Sequence, residues 1–213
     1  MQASKSFSNA LAFLAGALLI SQAVFAAPTP AAPANFEKAT FAAGCFWCVE
    51  SAFEGVAGVS SVLSGYTGGQ TKDPTYEQTS GGTTGHAEAV EVIFDPKTIS
   101  YAKLLEIFWA NTDPTDLNKQ FCDRGSQYRS AVFTHGPEQA KLAAASKAKW
   151  QADPLFSGKT IHTEVNVAGD FYAAEEYHQD YAARNPIRYR YYRSGCGRDK
   201  QLKKIWGVAP AGH

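Results

Sequence analysis

Apolar residues recur with two different periods along this chain, and the switch between them predicts its elements. Thr40–Ala43 is a short apolar run that predicts a strand, and Val59–Tyr66 alternates loosely as a second. Ala87–Phe94 alternates more strictly. Glu88, Val90, Val92 and Phe94 fall on one face, and Ala89, Glu91 and Ile93 on the other. Ser130–Thr134 and Ile161–Val167 predict two further strands. Between these runs the period lengthens. Cys45–Glu54 predicts a helix with Cys48, Val49, Ala52 and Phe53 inward. Ser100 caps a helix running to Ala110, and Gly136-Pro137 opens one running through Trp150. Phe171–Ala183 is expected to be helical, and Gly68–Gly85 to be a long functional loop. The order β-α-β-β-α-β in the first half predicts an α+β fold. The expected form is a ferredoxin-like two-layer α/β sandwich with a mainly antiparallel sheet and an extended C-terminal segment.

The N-terminus follows another pattern. Lys5, the apolar run Ala10–Ile20 and the small-residue site Val24-Phe25-Ala26 mark residues 1–26 as a signal peptide cut after Ala26. An uncleaved anchor is the alternative, but the run is short of the roughly 20 apolar residues a span needs. Residues 27–37 form an Ala/Pro-rich linker, 38–207 one folded domain and 208–213 a flexible tail. Export would place the domain in the periplasm, without stable membrane insertion after cleavage. Twenty basic and twenty acidic side chains balance, which argues against nucleic acid or an anionic membrane as partner.

Four cysteines lie beyond the predicted cut, at 45, 48, 122 and 196. In an oxidising compartment they could be structural staples. Cys45-x-x-Cys48, however, closes only a tiny loop, and it sits where a strand turns through Gly44 into a helix. There the unpaired N–H groups and the helix dipole would favour the Cys45 thiolate. A zinc site is rejected because no second C-x-x-C or H-x₃₋₅-H completes the pair, so no metal is expected. Glu88 shares its strand face with Val90, Val92 and Phe94. Burial there would raise its pKa and make it a proton donor, whereas a strand-end Glu in water would not be one. Tyr76 and Tyr128 are loop phenols that either pack on the surface or donate to a polar oxygen. Asp123 by itself reads as a turn residue and His178 as a locally satisfied histidine. The Arg/Tyr run 188–193 reads as a solvated face.

Five segments together resemble the peptide methionine sulfoxide reductase A family. They are Gly44-Cys-Phe-Trp47, Gly65-Tyr-Thr-Gly-Gly69, Pro74-Thr-Tyr76, Thr84-Gly-His-Ala-Glu88-Ala-Val90 and Asp123-x-Gly125-x-Gln-Tyr-Arg-Ser130. The resemblance covers about residues 38–207. It implies an α+β sandwich and thiol-dependent reduction of methionine-(S)-sulfoxide, free or in proteins, through a Cys45 sulfenic acid and an intramolecular disulfide. It also implies roles: Cys45 as nucleophile, Glu88 as acid, Tyr76 and Tyr128 as hydrogen-bond donors to the sulfoxide oxygen, and Asp123 as organiser. Phe46, Trp47 and His178 are the implied substrate-binding side chains. For resolution of Cys45 the candidates are Cys48 and Cys196. Cys48, one turn away, is favoured over Cys196 in the mobile-looking Ser194–Gly197 segment. No bound cofactor is expected, and a thioredoxin-like dithiol would restore a monomeric enzyme that repairs oxidised exported proteins. The rival readings are a general thiol–disulfide oxidoreductase built on Cys45 and Cys48, and a disulfide- or zinc-stabilised binding module.

Overall fold

The computed structural model describes residues 35–207. The expected signal peptide, nearly all of the linker and the tail at 208–213 lie outside the described residues. Eight strands are described: β1 (Glu37–Ala43), β2 (Val59–Thr67), β3 (Ala87–Phe94), β4 (Lys119–Gln120), β5 (Asp123–Arg124), β6 (Ser130–Thr134), β7 (Glu164–Val167) and β8 (Phe171–Ala173). The helices are α1 (Phe46–Phe53), α2 (Tyr76–Ser80), α3 (Tyr101–Ala110), α4 (Pro137–Ala152), α5 (Tyr181–Arg184), α6 (Pro186–Cys196) and α7 (Arg198–Trp206).

Six strands form one sheet in the order β7-β6-β1-β3-β2-β8, and β4 and β5 form a separate two-stranded hairpin. The β6–β7 pair is parallel and the other neighbours are antiparallel, so the sheet is mixed. Where a mainly antiparallel sheet was expected, β7 makes it mixed: α4 returns that strand beside β6, as a crossover helix must for parallel strands.

The alternation in β3 sets the two faces. Val90, Val92 and Phe94 join Phe41, Phe53, Leu104 and Phe108 in the main core under α1 and α3. Phe41 stacks on Phe53 and Phe108, with ring centroids at 5.1 and 5.4 Å. The opposite face holds a small cluster of Ala42, Ala87, Ala89, Ala131 and Phe133. Ser100 caps α3 by accepting the Lys103 N–H, as expected.

Three expectations fail, each for a physical reason. The loop 68–85 contains α2, because Thr75 and Gln78 form a reciprocal capping box after Pro74. Phe171–Ala183 is not one helix. Its first residues pair with Thr67–Gly65 as β8, and Asp180 then takes a left-handed φ of 51° that breaks the path before α5. The C-terminal segment is helical rather than extended. Cys196 closes α6, where it is bonded to Cys122.

Candidate active site

Gly44 turns the chain from β1 into α1 at φ 81°, and a side chain there would meet Gln120 Cβ at 2.6 Å, so the turn requires glycine. Cys45 follows as the residue before the helix and is 7% exposed. It lines a cavity of about 180 Å³ together with Phe46, Trp47, Tyr76, Glu88, Asp123, Tyr128 and Tyr192. The fold thus brings Cys45, Glu88, Tyr76, Tyr128 and Asp123, dispersed over the chain, to one small space. A larger cavity, about 680 Å³ between α1, α5, α6 and α7, contains no thiol.

Glu88 sits at the start of β3 on the core face, and its Oε2 accepts the Phe46 N–H at 3.0 Å. Burial pushes its pKa up to about 8, against the pull of that N–H and aided by the charges of Asp123 and Cys48. The carboxyl is therefore protonated at neutral pH and can donate. Burial also raises Tyr76, to about 12, and Tyr128, with the nearby Glu88 adding to both. Both phenols keep their protons and can donate hydrogen bonds.

The motif residues around these groups are their scaffold. Glu175 accepts the Tyr76 N–H at 2.9 Å and the Tyr66 hydroxyl at 2.7 Å. Gln127 donates to Ser80 O at 2.7 Å and Arg129 to Gly85 O at 3.2 Å, which ties the turn carrying Tyr128 to the loop after α2. His86 pins that loop by accepting the Gly69 N–H at 3.0 Å.

Trp47 lies against Tyr181 with centroids 3.7 Å apart and planes within 5°. Its indole N–H donates to His178 Nδ1 at 3.0 Å, and the His178 ring meets Tyr76 at 4.4 Å and Phe46 at 4.9 Å. His178 is absent from the cavity lining, so it braces the aromatic wall from behind rather than forming it.

The two free thiols depart from the helix-dipole expectation. The Phe46 N–H goes to Glu88, and Cys45 makes no capping bond. Burial, then the neighbouring Cys48, push Cys45 well above the ordinary thiol value. Cys48 is instead held down to about 6. The Cys45 thiol donates to it, and Arg198, Arg193 and Tyr189 add to that pull against burial. Burial thus opposes a charge on Cys45, while Arg198 and Arg193 favour one on Cys48.

Sequence reasoning misses Tyr192. Its hydroxyl donates to Asp123 Oδ2 at 2.6 Å, so Asp123 is a site residue and not a turn residue alone. The run 188–193 is half inside: Tyr189 and Arg193 are buried, while Arg188 and Tyr191 face solvent. The helical spacing of Tyr189, Tyr192, Arg193 and Cys196 is the signal that could have found it. Among the described residues, possible metal-ligand groupings are Cys122–Asp123–Cys196, whose sulfurs are bonded to each other, and Glu50–Glu54–Asp180.

Fold and site together define a thiol-based oxidoreductase of α+β architecture. The family model described as peptide methionine sulfoxide reductase matches residues 37–209. Peptide methionine sulfoxide reductase MsrA of Bacillus licheniformis is 51% identical over 171 residues, covering 80% of this chain and 94% of that protein. Among solved structures, Mxr1 of Saccharomyces cerevisiae in reduced form has a TM-score of 0.68 at 35% identity, covering 73% of this chain and 88% of that one. Mxr1 in complex with Trx2 has a TM-score of 0.50 at 26% identity, covering 72% and 90%. The chain belongs to the peptide methionine sulfoxide reductase family.

Proposed function

We propose that the protein reduces methionine-(S)-sulfoxide, free and in proteins, with Cys45 as nucleophile. The observation that carries this reading is the convergence on Cys45 of a protonated, buried Glu88 and two phenols in one small cavity. Tyr76 and Tyr128 donate to the sulfoxide oxygen and Glu88 supplies its proton, which makes the sulfur electrophilic. The Cys45 thiol gives up its proton towards Cys48 as its sulfur attacks. The oxygen ends on Cys45 as a sulfenic acid, and methionine leaves. Phe46 and Trp47 hold the substrate methyl group. A general disulfide exchanger would have no use for Glu88.

Cys48 resolves the sulfenic acid. It is free and one helical turn from Cys45, whereas Cys196 is already bonded to Cys122. A two-step relay onto Cys196 is the second reading, favoured by the exposure of Cys122 against the burial of Cys45 and Cys48. The likeness to Mxr1 in complex with Trx2 supports a thioredoxin-like reductant. Our reading includes no bound cofactor, a ferredoxin-like unit in β6-β1-β3-β2, and a monomer acting on oxidised proteins in the periplasm after removal of residues 1–26. Turnover of the separated S and R epimers with dithiothreitol tests the activity. No turnover of S, or equal turnover of both, refutes it. Mass mapping after one equivalent of sulfoxide tests the resolver, and a Cys45–Cys196 linkage with free Cys48 would exclude Cys48.

A further inference from the structure

The β4–β5 hairpin delivers Asp123 to the cavity, and its turn is made of unusual residues. Gln120 pairs with Asp123, so Phe121 and Cys122 form the whole turn. Phe121 takes a left-handed φ of 54°, which tight hairpin turns demand and which glycine or asparagine normally supplies. A bulky residue stays in that conformation only when its surroundings over-determine it. On the near side they do. The Gln120 side chain is fully buried and bonded twice to the Asp113 backbone, at 3.0 and 2.7 Å.

The tip is held from outside the hairpin. The Phe121 ring lies 4.6 Å from the guanidinium carbon of Arg198, at the start of α7. Cys122 is bonded to Cys196 at the end of α6, and its N–H donates to Cys196 Sγ at 3.2 Å. Asp123 accepts from the Tyr192 hydroxyl at 2.6 Å. Tyr192 and Cys196 stand one helical turn apart on α6, so they share a helix face. The disulfide and the Asp123–Tyr192 bond are therefore adjacent ties between one turn and one helix. Asp123 and Tyr192 both line the Cys45 cavity. Cys122 is exposed, whereas Cys45 and Cys48 are buried, so solvent reaches this sulfur first.

We propose that the Cys122–Cys196 disulfide is a redox-controlled positioning clamp. Closed, it holds Asp123 and Tyr192 at the wall of the Cys45 cavity; opened by a dithiol, it releases them and slows sulfoxide reduction. The inference rests on that reduction being the reaction of the site. In the opening step a thiolate of the dithiol attacks the exposed Cys122 Sγ. The protein S–S bond breaks, and Cys196 leaves as a thiolate that takes a proton. The second thiol of the reagent then displaces Cys122, so the protein gains two electrons and two protons while the dithiol becomes a disulfide. Without the bond, Phe121 relaxes towards negative φ. Cys122 and Asp123 follow it directly in the chain, so a rotation there carries both away from α6.

The test is a single turnover with one equivalent of methionine-(S)-sulfoxide and no reductant, read as the rate of methionine formation. Wild-type protein enters with the bond closed, and Cys122→Ser combined with Cys196→Ser enters without it. The folded fraction of each is taken from urea unfolding, so that lost stability is not read as lost rate. The rate should fall at least about tenfold without the bond. Asp123→Asn, costly in the closed protein, should cost less than about twofold in the open one. A merely structural bond would leave the Asp123→Asn penalty the same. An unchanged rate, or an equal penalty in both backgrounds, overturns the proposal. Should the serine variant not fold, wild-type protein opened with dithiothreitol and desalted takes its place, and an unchanged rate there overturns it equally. If the wild type fails to turn over the S epimer, the substrate reading falls and a measurement without sulfoxide decides the clamp. Urea-unfolding cycles of Asp123→Asn and Tyr192→Phe should show coupling with the bond closed and none with it open. Equal coupling in both overturns the clamp.

Discussion

Replacing Glu88 by Gln should make the protein more stable and nearly inactive at once. The carboxyl titrates near 8 in the folded state against 4.5 when unperturbed. At pH 7 the unfolded chain gains from ionising it and the folded chain does not. The sign follows from proton counting: between these two values the folded state holds more protons, so the wild-type carboxyl lowers stability as pH rises. From 4.5 to 7 the cost is about 3 kcal/mol. Gln keeps the shape and the acceptor for the Phe46 N–H but cannot ionise. Glu88→Gln should thus gain about 3 kcal/mol at pH 7, roughly 6–12 °C in Tm for a domain of this size. The gain should shrink to under roughly half a kcal/mol at pH 4.5. Loss of the acid should lower the rate of methionine formation by about 10²–10⁴-fold. Urea unfolding at both pH values and a single-turnover assay measure the two effects. A variant that is less stable than wild type at pH 7, or that keeps full activity, refutes the buried-acid argument.

Two further outcomes follow from the same geometry. Tyr76→Phe combined with Tyr128→Phe should lower kcat/KM by much more than either single change, because each phenol covers for the other at one oxygen; steady-state kinetics on the S epimer would show it, and strictly additive effects would not fit. Cys122→Ser should cost about 4 kcal/mol by the chain-entropy estimate for a 74-residue separation, read by urea unfolding without reductant, and a loss below about 1 kcal/mol would mean the bond does not constrain the unfolded chain.

Much of the site is legible in the sequence. Gly44 before Cys45 marks a strand-to-helix turn, and the β3 alternation places Glu88 among Val90, Val92 and Phe94, where burial does raise it. Long-range placement is not legible. Asp123 reads as a turn residue until Tyr192, 69 positions away, is seen to bond it. Phe171–Ala173 reads as helical because local pattern cannot show that Thr67–Gly65 offers a free sheet edge.

By itself, then, the sequence determined the main alternating elements and the five motif segments with their candidate reacting groups, because periodicity and side-chain chemistry are local properties. Tertiary structure decided the surroundings of the two thiols. Cys45 and Cys48 look alike in the chain, and a helix start alone would favour Cys45. The fold instead gives the Phe46 N–H to Glu88, and the charges of Arg193 and Arg198 pull Cys48 down. A pKa is set by burial and by neighbouring charges in space, and those neighbours arrive from α6 and α7, far along the chain from the thiols they act on.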